Sequence, residues 1–188
     1  MKKSIVISSV LALSIIGTGY YFADQRIVKE EIGALYNHAV YEDADQLAKD
    51  VSLIIEATPT SINKETVKTG DYTDSYTVTE VKVNKVFKNT TGKEQNPKTV
   101  PVIERFFTVD NGLVPGKTKI LADEYSPLLS GQKYVLFLNW SEENQAYWIH
   151  ALNQGKINID GSDLGEKSLA EQDDRFMKLK DSALKKFK

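Results

Sequence analysis

The chain has 188 residues, 41% apolar and 27% charged, with a formal net charge of -2. That is room for one domain plus extra segments, with too much apolar content for wholesale disorder and no charge excess that dictates a strongly basic or acidic partner. Cysteine is absent, which excludes disulfides, thiolate metal sites, thiol nucleophiles and a lipid-modified lipobox together.

At the N-terminus, Lys2 and Lys3 precede an uncharged run of 19 residues from Ser4 to Phe22. A membrane helix needs about 17–25 residues, whereas the apolar part of a signal peptide spans about 7–15. The first reading is a retained single-pass anchor. Tyr20, Tyr21 and Phe22 stand where an outer aromatic belt lies, and Tyr21 occupies a position where cleavage before Asp24 requires a small residue. The alternative is a signal peptide cleaved near Gly17 or Gly19, with secretion of the remainder. Either way the two lysines stay in the cytoplasm and the bulk of the chain lies outside.

After this segment (residues 1–23), Gln25 to Ala39 is predicted helical, with Ile27, Ile32, Leu35 and Tyr36 on one face. Glu42 to Asp50 is predicted as a short helix with Ala44 and Leu47 inward. Residues 24–49 therefore form a juxtamembrane helical segment. A strand follows over Val51 to Thr58, ended or placed at an edge by Pro59. Ser61 to Asp74, with Gly70, is a loop or loose hairpin.

The strongest strand pattern is Tyr76 to Phe87, YTVTEVKVNKVF. Val81 and Val83 share one face and Val86 has the opposite parity. A one-residue bulge near Asn84 and Lys85 restores all three to the inner face, leaving Lys82 outward, and a second adjustment near Thr79 or Glu80 accounts for Tyr76 and Val78. A strand bent in this way suits a barrel.

Further strands are predicted over Thr99 to Val109, Gln132 to Trp140, Ala146 to Leu152 and Lys156 to Ile159. Turns at Asn89 to Lys98, Asp110 to Lys119, Ser141 to Gln145 and Asn153 to Gly155 separate them, and Ile120 to Leu129 is irregular. Strands parted by turns, without interleaved helices, point to an all-β barrel or sandwich over residues 50–161. In the last segment (162–188), Ser168 to Lys188 is an amphipathic helix with Phe176, Leu179, Ala183, Leu184 and Phe187 on one side. It packs on the β domain, or alternatively rests on the membrane.

Four stretches carry a resemblance: KDVSLIIEATPTSI at 49–62, YTVTEVKVNKVFKN at 76–89, SGQKYVLFLNW at 130–140 and GKINIDG at 155–161. Together they resemble a domain found in secreted or membrane-anchored proteins of Gram-positive bacteria and, more loosely, the netrin-like barrel of tissue inhibitors of metalloproteinases. The resemblance implies a mainly β chain (α+β overall) with an OB-like barrel of five to six strands. It supplies no catalytic residues. Asn89 stands where the family often has Gly, and the inhibitors' N-terminal cysteine has no counterpart, so their mode of protease inhibition is not implied.

Reactive constellations are few. His38 falls in the predicted stalk and His150 in a hairpin strand, too few ligands for a zinc site; the expected roles are an exposed His38 and a partly buried, hydrogen-bonded His150. No nucleophile elbow is present. GLVPGKT at 112–118 imitates a phosphate loop but is one residue short between its glycines, and Pro115 removes a backbone donor, so it reads as a turn. Lys82, Lys85 and Lys88 alternate faces on a strand and form no basic stripe, so nucleic acid is not an expected partner.

No catalytic, cofactor-binding or metal-ligating residue is assigned, and no cofactor is expected. The reading is a non-catalytic extracytoplasmic binding module, held to the membrane by its N-terminal helix, whose partner is an envelope protein or wall polymer. Contacts are expected from loops 61–74 and 110–127 and from Tyr125, Trp140 and Arg105. Two alternatives stand: an envelope or secreted hydrolase using loop carboxylates, and a structural subunit of an envelope complex.

Overall fold

The run YVLFL at 134–138 is apolar at every position, without the alternation of a strand that has one wet face. The computed structural model gives the reason. It describes residues 21, 23–33, 38–68 and 74–188. The apolar N-terminal run apart from Tyr21, the expected inward pair Leu35 and Tyr36, and Gly70 lie outside the described residues. Among the described residues no helix is long and apolar enough to cross a membrane.

Among the described residues, nine strands and three α-helices follow in order: β1 (Ile27–Ile32), α1 (Ala44–Lys49), β2 (Leu53–Thr66), β3 (Tyr76–Asn89), β4 (Thr99–Glu104), β5 (Phe106–Asp110), β6 (Lys117–Leu121), β7 (Tyr134–Ser141), β8 (Ala146–Ile149), β9 (Lys156–Asn158), α2 (Leu164–Gln172) and α3 (Asp174–Phe187). The protein is mainly β, in two sheets. Six strands run in the order β2-β3-β4-β8-β7-β9, with β2 also paired to β7. A smaller sheet has the order β1-β6-β5.

Both faces of β7 and β2 are covered, and this explains their continuous apolar character. Tyr134, Leu136 and Leu138 of β7 meet Leu53, Ile55 and Ala57 of β2 in an inner core that also holds Val81, Val102 and Ile149. The intervening Val135, Phe137 and Ile54 face the other way. There they pack on Leu47 of α1 and on Phe176, Leu179, Ala183 and Phe187 of α3. The inward faces expected for α1 and for the terminal helix are the observed ones.

β3 carries the expected irregularity. Glu56 pairs with Lys85 and Ala57 with Val83, leaving Asn84 extra; Ile54 pairs with Lys88 and Ile55 with Val86, leaving Phe87 extra. With these bulges, Val81, Val83 and Val86 all reach the inner core, and Phe87 turns to the outer one. The second adjustment expected in β3 is absent: Thr77, Thr79 and Val81 alternate inward without a break, which leaves Tyr76 and Val78 on the other face. The irregularity opposite Glu80 belongs to β2, which inserts Thr60, Ser61 and Ile62 between its pairings at Pro59 and Asn63.

Four further expectations are corrected. Ile27–Ile32 is not helical but a strand, parallel to β6; pairing with the open edge of β6 supplies backbone hydrogen bonds that the weak helical spacing cannot rival. β2 does not stop at Pro59 but runs to Thr66. Within β2, only Leu53–Ala57 pairs with β7; beyond it the Pro59 carbonyl accepts from Gly131 N at 2.9 Å, and no strand there calls on the N–H that proline lacks. The strand expected over 99–109 breaks at Arg105 into β4 and β5, one in each sheet, and 117–121 is strand β6 rather than loop and irregular chain. The terminal helix starts earlier, at Leu164, and divides at Asp173, whose side chain caps α3 by accepting from the amides of Arg175 and Phe176.

A buried polar cluster joins β9 to the rest. Lys156 is 1% exposed, and its Nζ lies 3.6 Å from Asp163 Oδ2. Asp163 caps α2 by accepting from Glu166 N at 3.0 Å and accepts from the Tyr134 hydroxyl at 2.9 Å. Glu166 accepts from Asn158 N at 2.7 Å and pairs with Lys180 of α3 at 2.8 Å. Burial pulls the Lys156 amine below its ordinary pKa, opposed by the carboxylates of Asp163, Glu166 and Glu104.

Removing one member of such a pair leaves the other charge buried alone. Lys156→Met is therefore expected to cost about 3–5 kcal/mol in urea unfolding. A loss below about 1 kcal/mol would show that the ammonium stabilises nothing here.

Candidate functional site

Between the end of β8 at Ile149 and the start of β9 at Lys156 the chain loops out and returns to β7, to which both strands run antiparallel, and it does so under strain. Ala151 and Leu152 both adopt left-handed backbone, at φ 56° and 53°, each at a cost of order 1–3 kcal/mol for a residue with a side chain. The turn closes on Gly155, where a Cβ would stand 1.9 Å from the His150 carbonyl oxygen; only glycine permits that approach. Asp123 has φ 51°. It faces Ala151 and Leu152 across a cleft of about 210 Å³.

The floor of the cleft is apolar, with Ala151, Leu152, Leu169 and Phe176, and its rim is polar, with His38, Asp123, Glu124, Asp173 and Arg175. Two adjacent amides hold its walls apart at a set width. Asn153 accepts from Ser126 N at 2.9 Å and donates to the Glu124 carbonyl at 2.9 Å. Gln154 accepts from Tyr41 N at 2.8 Å and donates to the Ala39 carbonyl at 3.2 Å. Each side chain therefore uses both its acceptor and its donor on a segment distant in sequence.

His38, Asp123, Asp173 and Arg175 on the rim are already engaged. His38 Nδ1 lies 3.8 Å from Asp123 Oδ2, so His38 is not simply an exposed stalk residue. Asp173 caps α3, and Arg175 Nε lies 3.8 Å from its carboxylate.

Behind the floor, the Tyr41 hydroxyl donates to Asp50 Oδ2 at 2.7 Å and lies 2.7 Å from His150 Nε2. With the hydroxyl proton given to Asp50, the remaining contact requires a proton on His150 Nε2, as in the neutral ring. Burial, then the hydrogen bond to Asp50 and its charge, pushes the Tyr41 pKa up to about 12. Burial also pulls His150 below its ordinary value, against the opposing charge of Asp50. Together they hold the 38–43 segment against the end of β8. His150 thus has the partly buried, hydrogen-bonded role expected of it.

The residues singled out in the sequence lie elsewhere. Tyr125 is not an exposed aromatic: it is 1% exposed, and its hydroxyl donates to Glu104 at 2.9 Å. Trp140 packs against the inner core. The Lys93 ammonium lies 3.9 Å from its ring centroid and the Tyr147 ring meets it edge-on at 4.8 Å, so little of its π-face is open. Arg105 sits, half-buried, at the junction of the two sheets, where its carbonyl accepts from Ala122 N.

Of the two expected contact loops, 110–127 contributes Asp123 and Glu124 to the cleft; 61–66 is strand, and 69–73 lies outside the described residues. In the sequence, Asn153 to Gly155 has the composition of an ordinary turn. Two adjacent side-chain amides before a glycine were the available sign, but nothing in the sequence shows which segments they clamp.

Among the described residues, no group of three or more His, Asp or Glu is gathered to hold a metal ion. Compared with known proteins, the chain matches no family model and no curated protein.

The depressed pKa of His150 means that the unfolded chain binds more protons than the folded one in the acid range. His150 therefore favours the fold above its ordinary value of 6.5, and that contribution is lost as pH falls below it. Between about pH 7.5 and about pH 5, wild type should lose stability relative to His150→Gln in paired unfolding curves. Curves that stay parallel would reject the assignment.

Proposed function

We propose that the chain is a non-catalytic, membrane-anchored binding module of the extracytoplasmic space, built on an OB-like barrel, which takes an envelope protein or wall polymer at the cleft between the β8–β9 turn and α3. The barrel reading is supported by the strand pairings: β2 to β3, β3 to β4, β4 parallel to β8, β8 to β7, and β7 back to β2. That circuit of five strands, with one parallel pair, is the order expected of a small Greek-key barrel such as the OB fold. The anchored reading rests on Ser4 to Phe22 and its two preceding lysines.

The single observation that carries the binding reading is the strained backbone around one preformed cleft. Left-handed residues with side chains persist only where surrounding structure over-determines them, and they cluster at ligand sites. Here Asn153 and Gln154 provide that over-determination. The cleft combines an apolar floor with a few polar groups at its mouth, the usual make-up of a recognition site. The engagement of Asp123 with His38, and of Asp173 with the start of α3, favours recognition over hydrolysis: these carboxylates already serve the structure.

The test places a photoreactive residue at Val40, 57% exposed at the cleft edge, in the full chain on intact cells. A second probe replaces Glu143 in the hairpin at the opposite end of β8. A discrete cross-linked envelope component is expected from position 40 and not from 143, with reduced yield in Asn153→Ala. No product, or equal products from both positions, would reject the cleft as the binding site.

A further inference from the structure

The small sheet is an arm with a defined tip. β1 and β6 run in parallel, with Ile27 opposite Lys117 and Ile32 opposite Leu121. The β5–β6 connection, 111–116, therefore lies at the end where β1 begins. That end is also where the apolar N-terminal run reaches the described part of the chain, at Tyr21. The two are hydrogen-bonded together: Lys117 N donates to the Arg26 carbonyl at 2.8 Å, and Gly116 N donates to Asp24 Oδ1 at 3.4 Å. Gly116, at φ 108°, lies so close to Val28 that a Cβ there would be 2.5 Å from its Cγ1.

Exposed apolar side chains collect at this tip. Leu113 is 97% exposed, Val114 64%, Val28 58%, Ile27 41% and Tyr21 62%. Several exposed apolar side chains at one end of a small sheet suit an interaction surface. Two flanking lysines are matched, Lys117 lying near Asp110 at 3.7 Å and Lys119 pairing with Glu30 at 2.8 Å, while exposed Arg26 adds a basic side chain beside the tip. Its occupant is identified by position: the segment leaving the tip is long and apolar enough to cross a bilayer, and the bilayer surface then lies against whatever surrounds its exit.

We propose that the Leu113–Val114 tip inserts into the membrane interface beside the anchor, giving the domain a second lipid contact and a fixed orientation. This rests on the anchored reading above. Alone, two aliphatic side chains would hold a domain weakly; beside a membrane helix their contact is intramolecular, with a high effective concentration of lipid.

The cysteine-free sequence permits a clean test. Leu113→Cys and, as a reference, Val40→Cys are labelled with an environment-sensitive NBD fluorophore in the full chain and reconstituted into phosphatidylcholine–phosphatidylglycerol vesicles. Leu113 is so exposed that the label does not threaten folding, which matching unfolding midpoints verify. A several-fold emission increase with a blue shift, and quenching by doxyl-labelled lipids, is expected at 113 and not at 40. A chain that floats with the vesicles but keeps an aqueous spectrum at 113 overturns the tip insertion and leaves the anchor standing. A blue shift without quenching by lipid assigns the patch to a protein contact and also overturns it. A chain that does not float overturns the anchor, and the tip insertion with it.

Discussion

Burying the Lys156 ammonium constrains nearly every element around it. A charge so far from water is tolerable only with a counter-charge and hydrogen-bonded neighbours, and Asp163 must therefore lie within reach of β9. Asp163 is also the residue that starts α2, so the site of the counter-ion sets where the C-terminal helices begin. Its second partner, the Tyr134 hydroxyl, comes from β7. Glu166, one turn later, takes Asn158 N from β9 and Lys180 from α3. Four elements are thus positioned by two carboxylates three residues apart. On the far side, Glu104 accepts from Thr79, from the Tyr125 hydroxyl and from Leu128 N at 2.6 Å. Desolvation raises its pKa; those donors and Lys156 pull the other way. A network of this type is specific because an unsatisfied member is costly.

What could be read from the residues alone follows from whether local order carried the information. The slip at Asn84 was visible because valine parity breaks within one continuous strand, and the inner core then claims Val81, Val83 and Val86; the bulge at Phe87 has no such sign. The apolar faces of α1 and α3 were visible for the same reason, each being written in a single helical period. β1 was not: its hydrogen-bond partner lies about ninety residues away in sequence, and every side chain in it is exposed, so no burial pattern marks it as a strand. The break at Asp173 was hidden because Phe176 to Phe187 is amphipathic on its own, and the residues before it were assigned by continuity.

The polar interior and the cleft were hidden for a different reason. Lys156 begins a strand pattern as an ordinary polar residue; nothing nearby announces that its ammonium points inward, since the groups around it come from β4, β7 and the start of α2. Tyr125 was misread in the opposite sense, an aromatic in an irregular loop that turns in to meet Glu104. Likewise Asn153 and Gln154 look like loop polarity, whereas each closes two long-range hydrogen bonds. Function-bearing geometry here is assembled across the fold, and single-segment periodicity has no access to it.

Arm and cleft are linked by the chain itself. Asp123 and Glu124 follow β6 directly, at the base of the arm, while Leu113 and Val114 occupy its tip. Five strand residues at about 3.3 Å each separate them by about 17 Å. With the tip seated in the lipid interface, the cleft would stand roughly that far from the bilayer, with β1 and β6 as a paired support rather than a single tethering strand. A flexible linker would let the cleft sample all heights and orientations; a three-stranded arm pinned at both ends does not. The exposure of β1 then has a physical rationale. It contributes little to the core, but under the proposed anchoring it would convert the exit from the membrane into a rigid spacer and set the strained turn at a fixed distance from that surface.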